Sequence, residues 1–552
     1  MGTDRQVGRV AARTPGTSSA QRSFALHAQA ERTGEPPGEL RQRLAAERAE
    51  RGQEGPTRRE LLVGAGALTA GAVLSANPAA SLARRLAGGG TPRVAIVGAG
   101  LAGLRCAHQL WTGSPGAPIL TTVYEANGER AGGRCWTLRD YFAGGLQTEH
   151  GGSFLNSNQT AVRALGARLG LTEEVVNGGD LPSGEEVFFI DGRRYTYAEA
   201  NADWADFGYA TFRAAARELR SEEGAARLDA MSVPEWLQST PIGVGSAFGR
   251  LMMANTVTEN GGDPGDQSAL DLIELLTGNP HSSLSPLPGD DETYHLIGGN
   301  DQLVSGMISQ LPPETVRHDH VLEALRTNTD RSVSLSFQVA GASLEVTADY
   351  VVLALPFSTL RAVELSRSGL SPAKRRVIRT MGMGTNAKIH LEVSHKPWPA
   401  LGLSGATYGD WQRLACAWDD SVALGAAASP ALYLAFPGAK QGRSGITGAA
   451  HAAAPAADAA WALGELEHVI PGMTAAFTGL AYEDHWALDP WVQGAYSYYR
   501  VGQASSYGAI AARTEGRILF AGEHTSIANI GFLDGAVETG ERAASRLLAR
   551  IT

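Results

Sequence analysis

Three glycines, Gly98, Gly100 and Gly103, stand at G-x-G-x-x-G spacing. Before them lies a short apolar run, Val94 to Val97; behind them Leu101, Leu104, Ala107, Leu110 and Trp111 recur at helical period. Strand, tight turn and helix in that order suit the binding of a pyrophosphate. The first glycine makes the turn, the second lets phosphate approach the backbone, and the third lets helix and strand pack closely. The helix N-terminus then faces the phosphates. Glu125, 22 residues after Gly103, ends a second apolar stretch beginning at Ile119 and is placed to hold ribose hydroxyls. Two other stretches fit the letters, Gly64 to Ala70 and Gly382 to Ala387. The first has no following strand that ends in an acid, and the second runs into an alternating strand.

Other residues could do chemistry nearby. Gly132-Gly133-Arg134 and Gly151-Gly152-Ser153 are glycine pairs in loops, where backbone can approach a cofactor and Arg134 is free to pair with phosphate. Lys388 is one of only four lysines among 47 basic residues. It lies in Thr385 to Val393, where Ala387, Ile389, Leu391 and Val393 alternate on one strand face and Lys388, His390 and Glu392 share the other. By itself this reads as an exposed lysine on a half-buried strand. Cys106, Cys135 and Cys416 have no metal-ligand spacing and read as buried or incidental thiols, so no metal is expected.

The elements that must position these residues form an α/β chain long enough for two or three domains at 552 residues. Helix-rich sequence, including Thr160 to Leu171 and Asp206 to Arg220, interrupts the nucleotide-binding part. Short strands return at His320 to Leu325, Val333 to Val339, Leu344 to Ala348 and Tyr350 to Leu355. Arg517 to Ala521 reads as a buried strand, and Gly531 to Gly535 opens a helix running on to Leu548. A net charge of −10 with no basic face argues against nucleic acid as a partner. At the N-terminus, residues 1–56 read as a disordered extension. Arg58-Arg59, a mildly apolar stretch from Leu61 to Ala76 and small residues up to Ala83 then read as a twin-arginine export signal over 57–83. About 16 diluted apolar residues are too few for a bilayer that needs about 20, so no stable membrane insertion is expected.

On these residues the chain resembles the flavin-containing amine oxidases. Val94 to Gly103, Glu125, Gly132-Gly133-Arg134 and Gly151-Gly152-Ser153 look like that family's N-terminal half. Gly516 to Thr525 with Gly531 to Ala544 looks like its closing flavin-binding segment. The resemblance implies a discontinuous Rossmann-type FAD-binding domain (91–160, 291–368 and 486–552) and an α+β substrate domain (161–290 and 369–485). It places Val321 at the adenine through its backbone, Gly522 and Glu523 near the ribityl or diphosphate, and Leu533 at the flavin. Lys388 matches a family lysine held through water to flavin N5, where a buried amine can relay a proton. Trp486 matches a family tryptophan, and Ala495 stands where covalent members carry the flavin-linking cysteine, so FAD is expected to be non-covalent. Tyr496 and Phe532 match the aromatic pair flanking the substrate nitrogen, Phe532 standing where monoamine oxidases commonly carry tyrosine.

The implied activity is FAD-dependent oxidation of a small-molecule amine. O2, giving hydrogen peroxide, or a redox protein is the expected acceptor, the location is outside the bacterial cytoplasm, and a homodimer is a possible assembly. The rival of the same fold is an L-amino acid oxidase, which needs an arginine clamp for the carboxylate. The place where relatives commonly carry it reads Gly151-Gly152-Ser153-Phe154 here, though Arg250 could take the role. More distant readings are a flavin desaturase and a catalytically silent exported flavoprotein.

Overall fold

The computed structural model describes residues 92–113, 118–176, 184–277, 284, 292–410 and 412–551. The extension over 1–56 and the export signal over 57–83 lie outside the described residues. A five-stranded, wholly parallel sheet runs in the order Ile518–Phe520, Tyr350–Leu353, Val94–Val97, Thr121–Tyr124, Val316–Arg317. The first of the described strands is thus central, and later strands add on both sides of it. The end of Val94–Val97 is the point where strand order reverses, the place where parallel sheets bind ligands.

This sheet is buried on both faces, and alternate side chains of each strand go to different layers. Val94, Ile96, Val123, Val352 and Leu519 pack against the helices Leu101–Thr112 and Leu533–Ile551. Ala95, Val97, Tyr124, Val351, Leu353, Ile518 and Phe520 belong to the core that includes the antiparallel sheet Val321–Thr327, Val333–Val339, Ala342–Ala348. The two helices come close because Gly540 carries no side chain: a Cβ there would meet the Ala102 carbonyl oxygen at 2.4 Å. Arg105 and Glu541 pair beside that contact at 2.6 Å.

The second unit is built on a six-stranded antiparallel sheet in the order Thr407–Tyr408, Cys416–Asp419, Ala431–Phe436, Lys388–Val393, Phe477–Asp484, His451–Ala453. Ala387, Ile389, Leu391 and Val393 pack against the helix Ala456–Glu467 through Ala459, Ala462, Leu463 and Leu466. The other face is not open to solvent as the alternation implied; all six residues of Lys388–Val393 are buried. Residues of the nucleotide-binding part cover that face, with Ala143 N–H donating to Glu392 at 2.6 Å and Lys388 donating to the backbone at Glu149 and Gly151. The alternation of faces is present in the strand, and the polar face is buried because its groups are paired.

Expected helices are shorter or broken. Thr160–Arg168 stops before Leu171, and a π-turn at Trp204–Gly208 precedes the helix Tyr209–Glu218. The last helix begins at Leu533, after Gly531 turns the chain at φ +86°.

Two glycines of the first turn separate folding from binding. A Cβ on Gly103 would stand 2.0 Å from the Gly98 carbonyl oxygen, whereas a Cβ on Gly100 would meet nothing within 4 Å. Gly103→Ala is therefore expected to cost about 3 kcal/mol in denaturant unfolding. Gly100→Ala is expected to leave the stability of the cofactor-free protein within about 0.5 kcal/mol and to lose bound cofactor.

Candidate active site

The carboxyl ends of the parallel strands open into a cavity of about 370 Å³ that also reaches the buried face of the antiparallel sheet. Every residue that the resemblance assigns to the cofactor or the chemistry lines it except Gly103, which lies behind the turn and packs helix on strand.

At the nucleotide end, Gly98 turns the chain at φ +100° and Gly132 N–H closes the neighbouring loop on the Ala99 carbonyl at 2.8 Å. No side chain caps the helix that starts after Gly100, so its first-turn N–H groups are left for an anion. Gly133, at φ +58°, stands over Gly100 with no other atom within 4 Å of a Cβ position. This leaves backbone on both sides of an open channel. Glu125 ends its strand inside the cavity, accepting from Ala99 N–H at 2.7 Å and Asn127 N–H at 2.9 Å. Burial holds its carboxyl above the ordinary value, against those two donors. Val321 lies on the next wall, beside His320, whose N–H donates to the Glu125 carbonyl at 2.8 Å. The open backbone at Gly100 and Gly133, the uncapped helix and Glu125 fit a dinucleotide.

Arg134 is not free, as the loop reading had it. It donates through Nη1 to the Ala495 carbonyl at 2.6 Å and to Glu523 Oε1 at 2.9 Å. The reason lies in Glu523, a fully enclosed carboxylate that needs a cation. Burial pushes its carboxyl up, but Arg134 and the Gly531 N–H, 2.8 Å from Oε2, hold it below the ordinary value. Ser497 donates to the same group. Glu523 thereby ties together Arg134, the Ser497 strand and the turn before the last helix. Gly522 turns the chain into it at φ +119°, and Leu533 closes over Gly152, where a Cβ would meet its Cγ at 3.0 Å.

At the other end of the cavity Lys388 is 3% exposed. Its Nζ meets three acceptors: the Glu149 carbonyl at 2.7 Å, the Gly151 carbonyl at 2.7 Å and Ser153 Oγ at 2.8 Å. Burial pulls its amine below the ordinary value, while Asp420, Asp484 and Glu149 act the other way. Tyr496 and Phe532 also line the cavity. Tyr496 donates its hydroxyl to the Thr258 carbonyl at 2.6 Å, which turns its oxygen into the protein, and burial pushes the phenol well above its ordinary range. The lining of the cavity thus includes, with Lys388, the aromatic side chains of Tyr496 and Phe532. Trp486 donates to the His150 carbonyl at 2.8 Å, and Ala495 is at the cavity wall with no reactive atom.

Sequence reasoning missed several lining residues. Arg130 donates to the Gly133 carbonyl at 2.7 Å and stacks on Trp136; Asn386 donates to the Val257 carbonyl at 3.1 Å; His150 and Asp489 belong to a buried histidine–aspartate cluster. No local motif marks these residues. Arg250, by contrast, points away, standing 3.4 Å from Asp191 and 3.9 Å from Asp410 outside the cavity wall.

A model of the flavin containing amine oxidoreductase family matches residues 101–548. Nicotine dehydrogenase of Pseudomonas putida is 28% identical over 518 residues, which span 89% of this chain and 96% of that protein. L-amino acid dehydrogenase of Synechocystis sp. is 24% identical over 82% of this chain and 94% of its own. Flavin-containing amine oxidase A of Bos taurus is 25% identical over 82% and 84%. Among solved structures, putrescine oxidase bound to putrescine matches with TM-score 0.67 at 22% identity, covering 83% of this chain and 99% of that one. Cyclohexylamine oxidase from Brevibacterium oxydans matches with TM-score 0.68 at 20% identity over 84% and 100%. The fold is thus that of the flavin amine oxidases. The chain belongs to the flavin-containing amine oxidoreductase family; it is an oxidoreductase, and its cofactor is FAD.

Two outcomes are expected from this geometry. Lys388→Met keeps flavin bound and slows flavin reduction by substrate about 100-fold, measured by anaerobic stopped-flow absorbance. The second concerns His295, which bonds Glu149 and Glu174 at 3.0 Å each, Glu149 being a residue whose carbonyl holds Lys388. Burial works against its charged ring, but the two carboxylates outweigh it and hold it up at about 9. A folded value above the unfolded one stabilises fully below pH 6.5, and that contribution disappears as pH rises through about 9. Unfolding free energies of wild type should fall across that window, and His295→Gln should flatten the slope.

Proposed function

We propose that this protein is an FAD-dependent oxidase of an amine. The observation that carries the reading is the make-up of the reacting end: buried Lys388 lines a cavity with Tyr496 and Phe532, and among the described residues no arginine of the lining is left to clamp a carboxylate. Of the arginines lining the cavity, Arg130 is engaged with Gly133 and Trp136, and Arg134 with Glu523. Two aromatic faces attract an amine while it is protonated, by about 0.5–2 kcal/mol, and guide it edge-on once neutral. Enclosure keeps bulk water from the reacting carbon. Bound FAD supplies the hydride acceptor for the amine's α-carbon, so that the amine leaves as an imine which water hydrolyses to an aldehyde.

FAD is held without a covalent bond, since Ala495 has no sulfur to form a thioether. O2 is the proposed electron acceptor, with hydrogen peroxide as product. Arg58-Arg59 and the short apolar stretch after them support export of the folded, cofactor-loaded enzyme by the twin-arginine route. Among the described residues no helix is long and apolar enough to cross a membrane.

The second reading, oxidation of an L-amino acid, draws on the relatives of that name. A dehydrogenase passing electrons to a redox protein draws on the nicotine dehydrogenase.

The test is a peroxide-coupled assay of purified protein with its visible spectrum, run against monoamines, diamines and L-amino acids. The expected result is peroxide from an amine and none from the matching amino acid, with yellow flavin released into the supernatant on acid precipitation. Peroxide from amino acids alone would overturn the amine reading, and bleaching without peroxide under air would replace O2 by another acceptor.

A further inference from the structure

Behind Lys388 lies a buried cluster in which one carboxylate serves three imidazoles. Asp484, fully buried, accepts from His150 Nδ1 at 2.6 Å and from His451 Nδ1 at 2.7 Å through Oδ1, and from His390 Nε2 at 3.0 Å through Oδ2. These partners come from separate parts of the chain: His150 from the Gly-Gly loop, His390 from the Lys388 strand, and Asp484 from the adjacent strand, in register with Lys388. The carbonyls that hold Lys388 Nζ belong to Glu149 and Gly151, the residues on either side of His150.

The outer nitrogens of the three rings fix where protons stand. His451 has a carboxylate at each end, Asp484 at Nδ1 and Asp489 at Nε2, the latter at 3.0 Å. A ring between two carboxylates donates from both nitrogens and is an imidazolium. His390 Nδ1 meets Thr148 Oγ1 at 3.1 Å, and that hydroxyl gives its own proton to Asp420. Its oxygen is left to accept, so His390 also donates twice. His150 differs. Its Nδ1–H is taken by Asp484, and among the described residues no protein atom bonds its Nε2, while the residue lines the cavity beside Lys388. This is a neutral ring whose Nε2 has no protein partner among the described residues and whose Nδ1 is held by a buried carboxylate, the arrangement of a general base.

We propose that His150 is the proton acceptor that converts the bound substrate ammonium into the neutral amine, with Asp484 as its positioning residue. The proposal rests on the amine reading above. In the step, one N–H bond of the ammonium breaks, its electron pair stays on the amine nitrogen, and an N–H bond forms at His150 Nε2. The positive charge so moved stands against Asp484. Nothing is oxidised or reduced in this step. It supplies what the aromatic walls cannot: they attract the ammonium, but the α-carbon gives up hydride only from the neutral amine.

The groups facing His150 agree with this assignment. Trp136 stacks on its ring at 3.5 Å between centroids and carries Arg130 at 3.9 Å, and the ring of Tyr482 lies edge-on at 5.4 Å. Burial lowers His150 below its ordinary value, against Asp484, with His390 and His451 acting alongside burial. His390 and His451 are raised by their carboxylates in spite of burial, and Asp420 stands at about 2. Of the three rings on Asp484, His150 is thus the one whose second nitrogen has no protein partner among the described residues.

The test is multiple-bond 1H–15N NMR of holoenzyme labelled at the histidine rings, with His150→Gln assigning the His150 signal. In wild type at pH 7.5 the His150 ring should be neutral and protonated on Nδ1. Addition of α,α-dimethylbenzylamine, which has no α-hydrogen to lose, should turn it into an imidazolium. A His150 ring that stays neutral with the amine bound, or that carries its proton on Nε2, overturns the proposal. In anaerobic stopped-flow with an oxidisable amine, His150→Gln should reduce flavin about 100-fold more slowly at pH 7. Its acid limb should also move up toward the free amine's own pKa, whereas an unmoved limb would again overturn the proposal. Flavin bleached only by amino acids, or by nothing, removes the amine reading itself, and the wild-type spectra report that separately from the state of the His150 ring.

Discussion

A lysine amine can be buried only where enough acceptors converge to replace water, and the architecture around Lys388 answers to that constraint. Three acceptors at 2.7–2.8 Å satisfy all three of its protons when charged. When it is neutral, Ser153 can turn its hydroxyl to donate instead. Two of the acceptors are main-chain carbonyls, so the lysine is held by the path of the Glu149–Ser153 loop, which must come from the nucleotide-binding part and lie flat on the antiparallel sheet. That requirement joins the two units. It also explains why the sheet's second face is polar yet enclosed, with Glu392, His390 and Lys388 each taken by a group on the covering segment.

The other half of the site is governed by how closely backbone can approach backbone. Gly103 and Gly540 let the helix Leu101–Thr112 settle on its strand and on the helix Leu533–Ile551, while Gly100 and Gly133 keep side chains out of the channel. The Arg134–Glu523 pair then fixes the third wall. An ion pair in so enclosed a place is costly to break, because removing one partner leaves a buried charge alone. Its value here is geometric: Glu523 reaches Ser497 and Gly531 as well, and so holds the segments carrying Tyr496 and Phe532 in one arrangement.

What was legible in the sequence is what depends on neighbours in the chain. The turn at Gly98 to Gly103, the acid at Glu125 and the helix after Gly531 are each written within about thirty residues, and the structure has them where the spacing put them. Lys388 was legible as a strand residue but not as a buried one, because polar alternation looks the same whether water or another domain faces it. Arg134 was read as free because its partner, Glu523, lies 389 residues away. The Asp484 cluster had no signature at all: its three histidines approach from positions 33, 94 and 334 residues distant, and only the fold brings them to one carboxylate.

In the proposed complex one cavity holds the dinucleotide over Gly100 and presents an amine to it between Tyr496 and Phe532, on the side where Lys388 is buried. The most direct measurement is a crystal structure of the holoenzyme with an unreactive amine bound. Expected are the pyrophosphate against Gly100 and the helix Leu101–Thr112, and the amine nitrogen between the two rings with Lys388 still on its three acceptors. An amine bound outside the aromatic walls, or Lys388 swung away to pair with a ligand carboxylate, would contradict this arrangement.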